Sequence, residues 1–128
     1  MYLKHISEIK EEVVDMGKKT TIQWLITDKN AGAQNYFMRR FVIKPGGEIF
    51  KHAHNWEHEI YCLQGEGIIG VGDKEYTMKK DMFVYVPPGV EHWYRNESDE
   101  DWVFLCIIPK PKQKQKNNNF KNKHSLFS

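Results

Sequence analysis

Hydrophobic positions in this chain fall in runs of four to eight residues, each closed by glycine, proline or an acidic or amide break. TIQWLIT (21–27) and YFMRRFVI (36–43) are the first two, the second ending at Lys44-Pro45-Gly46-Gly47. HEIYCLQ (58–64) stops at Gly65, and IIGV (68–71) turns at Gly72-Asp73 into KEYTM (74–78), a hairpin signature. MFVYV (82–86) meets Pro87-Pro88-Gly89, HWYRN (92–96) meets an acidic turn, and WVFLCII (102–108) meets Pro109. Runs rich in β-branched and aromatic residues, bounded this way, predict strands. Only residues 6–16 carry a helical pattern, so the fold is expected to be all-β, a sandwich or barrel with a short N-terminal strand or helix extension.

Composition changes this picture little. The 128 residues allow one domain with a core of its own. Cys62 and Cys106 both lie inside apolar runs and read as buried thiols, not as a disulfide framework. No apolar run approaches the roughly 20 residues of a membrane span. The opening MYLKHISEIKEE is charged and lacks the apolar core of a secretory leader, so a cytoplasmic location is expected. Charge is unevenly spread: residues 110–128 hold six of the 19 bases and no acid, leaving 13 bases against 17 acids elsewhere. We therefore divide the chain into a domain over 1–109 and a basic, low-complexity tail over 110–128. Without interleaved aromatics, the tail is not expected to bind nucleic acid.

Candidate chemistry concentrates in HAHNWEHEIY, where three of the chain's six histidines fall between positions 52 and 58. On a strand, His52 and His54 share a face. His58, four residues on, would lie about 13 Å from His54 if the chain stayed extended. It joins them only on a helix or if Asn55-Trp56-Glu57 turns the chain. The β-type run that follows favours the turn, with His58 opening a strand and Glu57 and Glu59 pointing away. His92, behind the stiff PPGVE turn, is the expected fourth member. By parity, His92, Tyr94 and Asn96 share a face, as do Trp102, Phe104, Cys106 and Ile108. Arg39 and Arg40 lie on opposite parities, and alternation does not say which faces inward.

Two spacings in the chain resemble those of a known superfamily. Gly47, His52, His54, His58 and Gly65 are similar to the first cupin motif, counted one residue short from Gly47 and in full from Gly46. Asp81, Pro87, Gly89, His92 and Asn96 are similar to the second, with Asp81 where glycine is usual. The run from NYFMRRF to FLCIIPK looks most like the small, single-domain, four-histidine manganese-binding cupins of thermophilic bacteria. The resemblance covers roughly residues 20–109. It departs from most cupins at the third ligand position, usually glutamate, where spacing to Gly65 places His58 and not Glu59.

The resemblance implies a double-stranded β-helix or jelly-roll barrel with His52, His54, His58 and His92 as metal ligands. It also implies Phe104 and Cys106 lining the cavity, with Arg39 nearby as a carboxylate contact. Four neutral imidazoles leave an ion's +2 charge uncompensated, which favours a small anionic substrate. Imidazoles alone specify only a divalent transition metal. The resemblance implies manganese first, with iron, zinc, nickel or copper as alternatives. The expected function is a metal-dependent oxidoreductase of dioxygenase or oxidase type, or a decarboxylase. The alternatives are a non-redox sugar-acid isomerase or ring-opening cupin, and a non-catalytic small-molecule binding domain. A homodimer is expected, with the segment around TIQWLIT as a strand exchanged or added between copies.

Overall fold

A computed structural model describes residues 1–112. Residues 113–128, most of the expected tail, lie outside the described residues, as does His124. The described part is a nearly closed antiparallel β-barrel. Its strands are β1 (Glu12–Val13), β2 (Gly17–Ile26), β3 (Tyr36–His52), β4 (His58–Gln64), β5 (Glu66–Val71), β6 (Lys74–Lys79), β7 (Phe83–Val86), β8 (His92–Arg95) and β9 (Trp102–Pro109). They are ordered β6-β5-β8-β3-β9-β4-β7, with β2 laid along β3 and β1 on β2. No helix among the described residues is long and apolar enough to cross a membrane.

Three local expectations change. Residues 6–16 do not form a helix. A 3-10 turn at Ile6–Glu8, closed by a capping box from His5, gives way to extended chain, and Glu12 and Val13 pair with Ile22 and Thr21. One true helix, α1 (Asp28–Ala31), was not expected; Thr27 caps its start and Gly32 ends it in the left-handed region. The run at 36–43 also does not stop at Lys44. β3 passes through Pro45-Gly46-Gly47 to His52 and belongs to both halves of the barrel: Tyr36–Ile43 pairs with β9, and Glu48–His52 with β8. At the bend, Gly46 N–H donates to the Asn96 carbonyl and Asn96 N–H to the Gly47 carbonyl. A Cβ on Gly47 would sit 2.8–2.9 Å from three carbonyl oxygens, so no larger residue fits there.

Strand alternation sets the core. β9 buries Trp102, Phe104, Cys106 and Ile108, and β4 buries His58, Ile60 and Cys62. Phe104 stacks on Phe41 and Tyr94 at ring distances of 5.2 and 5.3 Å and leans on Trp102 at 5.0 Å. Asn96, buried, is a bracket for the 96–101 turn: its Nδ2 donates to the Ile43 and Glu100 carbonyls and its Oδ1 accepts from Ser98. Asp81, where the motif usually has glycine, takes φ +69°, a conformation that Asp tolerates better than most side chains. β2 carries TIQWLI of that run, Thr27 being the cap of α1, and lies between β3 and, over Thr21–Ile22, β1 of its own chain.

Candidate metal centre

Four elements bring the histidines together. His52 ends β3 opposite His92, which opens β8. His54 sits in the connection 53–57, which turns the chain as the spacing requires, and His58 opens β4. The Pro87-Pro88-Gly89 turn acts on this connection directly, because Gly89 N–H donates to the His54 carbonyl at 2.6 Å. Trp56 lies flat on His54, with ring centres 4.6 Å apart and planes 5° off parallel.

The imidazoles form one cluster. Ring centres are 4.3 Å apart for His52–His92, 4.7 Å for His58–His92, 4.9 Å for His52–His54 and 5.4 Å for His54–His58. Ligand-capable nitrogens of His52, His54 and His92 all fall within 4.8 Å of one another, which is the convergence a metal ion needs. His58 adjoins this triad without meeting that distance. The Nε2 atoms of His52, His58 and His92 are buried and make no hydrogen bond. Buried nitrogens left bare cost free energy unless something meets them, and a divalent ion meets them well. Burial is the largest cause pushing His92 down to about 4 and His58 well below the usual imidazole range; Arg39 and the neighbouring histidines lower His58 further. Both rings are therefore neutral at pH 7, the form that ligates metal.

Beside the cluster, pairing of Arg39 with Cys106 settles which arginine faces inward. Arg39 is fully buried, whereas Arg40 is half-buried on the other face and donates to Gln23 Oε1. Arg39 Nη2 lies 2.8 Å from Cys106 Sγ and 3.4 Å from His58 Nδ1. Its Cζ sits 5.6 Å from the Trp24 ring centre and 5.1 Å from that of Phe41. No carboxylate among the described residues pairs with it, and its Nε and Nη1 are buried without partners. Burial raises the Cys106 thiol, an effect that Arg39 opposes. Phe104 has aromatic neighbours; Tyr94, which stacks on it, also contacts His92 edge-on at 5.9 Å. Trp24 as a neighbour of Arg39 went unnoticed in the sequence, where the only signal was two runs long enough to pair. Glu57 accepts from the Tyr85 hydroxyl and Glu59 is exposed, so neither carboxylate faces the cluster.

Comparison with known proteins agrees with this architecture. An oxalate-binding protein of Thermotoga maritima is 31% identical over 70 residues, 54% of this chain and 58% of that protein, so the chain spans little more than half its length. L-ectoine synthase of Vibrio campbellii is 26% identical over 92 residues, 71% of this chain and 70% of the synthase. Among solved structures, the polyketide cyclase RemF of Streptomyces resistomycificus superposes with a TM-score of 0.82 at 25% identity, covering 98% of this chain and 91% of the cyclase. A predicted oxalate decarboxylase of Thermotoga maritima gives 0.76 at 26% identity, covering 86% of this chain and all of that one. The model of the Cupin domain matches residues 39–108, a stretch that begins at the buried arginine, holds all four clustered histidines and ends just beyond Cys106. By that match the chain belongs to the cupin family.

Proposed function

We propose that this chain is a metal-dependent enzyme acting on a small carboxylate- or enolate-bearing substrate, as an oxidoreductase of dioxygenase or oxidase type or as a decarboxylase. His52, His54, His58 and His92 would hold one divalent transition metal ion, manganese first. The observation that carries the reading is the cluster of four imidazoles, with the Nε2 atoms of His52, His58 and His92 buried and bare, beside a buried guanidinium that has no carboxylate partner among the described residues. When bound, the ion supplies Lewis-acid stabilisation of developing negative charge. The protein supplies the rest. Arg39 keeps unused donors for an anion, and its burial strengthens that attraction. Cys106 anchors the guanidinium, and Phe104 with Tyr94 forms an apolar wall that excludes water. The names of the oxalate-binding relative and the predicted oxalate decarboxylase support a small carboxylate.

A second reading is a non-redox cyclase or isomerase in which the metal only polarises a carbonyl. The fit to a polyketide cyclase over nearly the whole chain favours it. The two separate on loading with manganese, iron or zinc. Oxygen uptake or carbon dioxide release from a panel of small acids, confined to manganese or iron, supports the first; turnover with zinc and no oxygen uptake supports the second. Tight oxalate binding with no turnover under any metal would leave a binding domain. We further propose a homodimer, supported by the exposed Phe83 and Tyr85 on edge strand β7 and the exposed Tyr61 beside them on β4. Light scattering of the purified protein tests it.

A further inference from the structure

The clustered imidazoles are not all held alike. Nδ1 of His52 lies 2.6 Å from the Phe50 carbonyl, and Nδ1 of His92 lies 3.0 Å from the Val90 carbonyl. A carbonyl only accepts, so each Nδ1 carries the proton and each Nε2 keeps its lone pair for a metal. His58 has no carbonyl there. Its Nδ1 faces Cys106 Sγ at 3.3 Å and Arg39 Nη2 at 3.4 Å. A guanidinium can only donate. Were Arg39 to set the tautomer, it would donate into Nδ1 and force the proton onto Nε2, and His58 could not ligate. Sulfur accepts from Arg39 Nη2, which is much nearer to it, at 2.8 Å, than to the imidazole, and it has a further lone pair that can accept from His58 Nδ1–H.

We infer that Cys106 is a positioning residue for His58. Its Sγ accepts from both Arg39 Nη2–H and His58 Nδ1–H, which draws the guanidinium away from the ring and holds His58 as the Nδ1-protonated tautomer with Nε2 free. A neutral thiol sulfur accepts hydrogen bonds, more weakly than a thiolate, so the arrangement needs no change of ionisation. The inference rests on the proposed role of His58 as a metal ligand. It gives that ring the acceptor that backbone carbonyls give His52 and His92, so a sulfur takes the place usually held by a carboxylate or carbonyl behind a metal-bound histidine.

The tautomer is measured directly by long-range proton–nitrogen correlation spectra of the nitrogen-labelled, chelator-treated full chain at neutral pH. Wild type is expected to show His58 protonated on Nδ1; finding the proton on Nε2 overturns the inference without any variant. Cys106→Ser keeps an acceptor and is expected to keep both tautomer and cobalt(II) affinity. Cys106→Ala is expected to move the proton to Nε2 and weaken cobalt(II) binding, followed by its visible absorption, by about 10- to 100-fold. Adding Arg39→Met to Cys106→Ala removes the competing donor and is expected to restore much of the Nδ1 form, which a mere packing defect would not do. An alanine variant with wild-type tautomer and affinity refutes the idea. If wild type shows the Nδ1 form yet binds no cobalt, the tautomer argument stands and the metal reading fails.

Discussion

Replacing Arg39 by methionine separates stability from function. The guanidinium is fully buried without a carboxylate. In its favour stand the faces of Trp24 and Phe41 and the contact to Cys106. Two desolvated cation–π contacts contribute about 1–2 kcal/mol each, and a charge-assisted hydrogen bond about 1.5–3 kcal/mol. Against it stands the desolvation of a buried ion, still several kcal/mol after relaxation. Two bare donors, Nε and Nη1, add about 1–3 kcal/mol each. Methionine fills similar space, keeps the contact with both rings and carries no charge. The chelator-treated Arg39→Met protein is therefore expected to gain about 1–3 kcal/mol, read from the urea midpoint at unchanged slope. The same change should weaken oxalate binding to the metal-loaded protein by about tenfold or more. A variant destabilised by more than about 2 kcal/mol would show that the apoprotein already satisfies this cation, and the argument that Arg39 is kept for an anion would be wrong.

Other expectations follow from single features. His92→Ala removes a member of the triad, and metal retained per chain, measured by mass spectrometry after dialysis, should fall sharply; unchanged stoichiometry contradicts the site. Gly65→Ala places a Cβ 2.2 Å from the Asp101 carbonyl oxygen at φ +73°, and the cost should exceed about 2 kcal/mol in urea. His92 titrates near 4 when folded against 6.5 unfolded, so the unfolded chain takes up the proton first. Apoprotein stability should thus be full above pH 6.5 and fall as pH drops toward 4; a flat profile removes this basis. Glu75, held down to about 2 by hydrogen bonds from Arg95 and Trp93, should titrate there in carboxyl-detected spectra and return toward the ordinary range in Arg95→Ala.

Much of this architecture was legible because it depends on short-range chemistry. The strand runs, the Gly72-Asp73 hairpin and the turn through Asn55–Glu57 all follow from local patterns that tertiary contacts reinforce. What was hidden depends on partners distant in sequence. Pro45-Gly46-Gly47 reads as a strand end because proline lacks an N–H and glycine favours turns. The ladder to Asn96 and the company of β2 carry the strand through it. Parity left Arg39 and Arg40 equivalent, and only the pairing of β3 with both β2 and β9 distinguishes inside from outside. The N-terminal segment has helical spacing, but Val13 finds a β partner in Thr21 and Gln23 Nε2 takes up the Ile6 and Ile9 carbonyls, which an isolated window cannot reveal.

The tight turn at Gly72-Asp73 divides the chain unequally for chemistry. A cut there would leave Arg39, His52, His54 and His58 on one polypeptide and His92 with Cys106 on the other. Neither piece alone owns the imidazole cluster or the sulfur behind it. If the proposed site holds cobalt(II), its absorption would return only when the two pieces reassemble, and the barrel would then report its own fragment complementation.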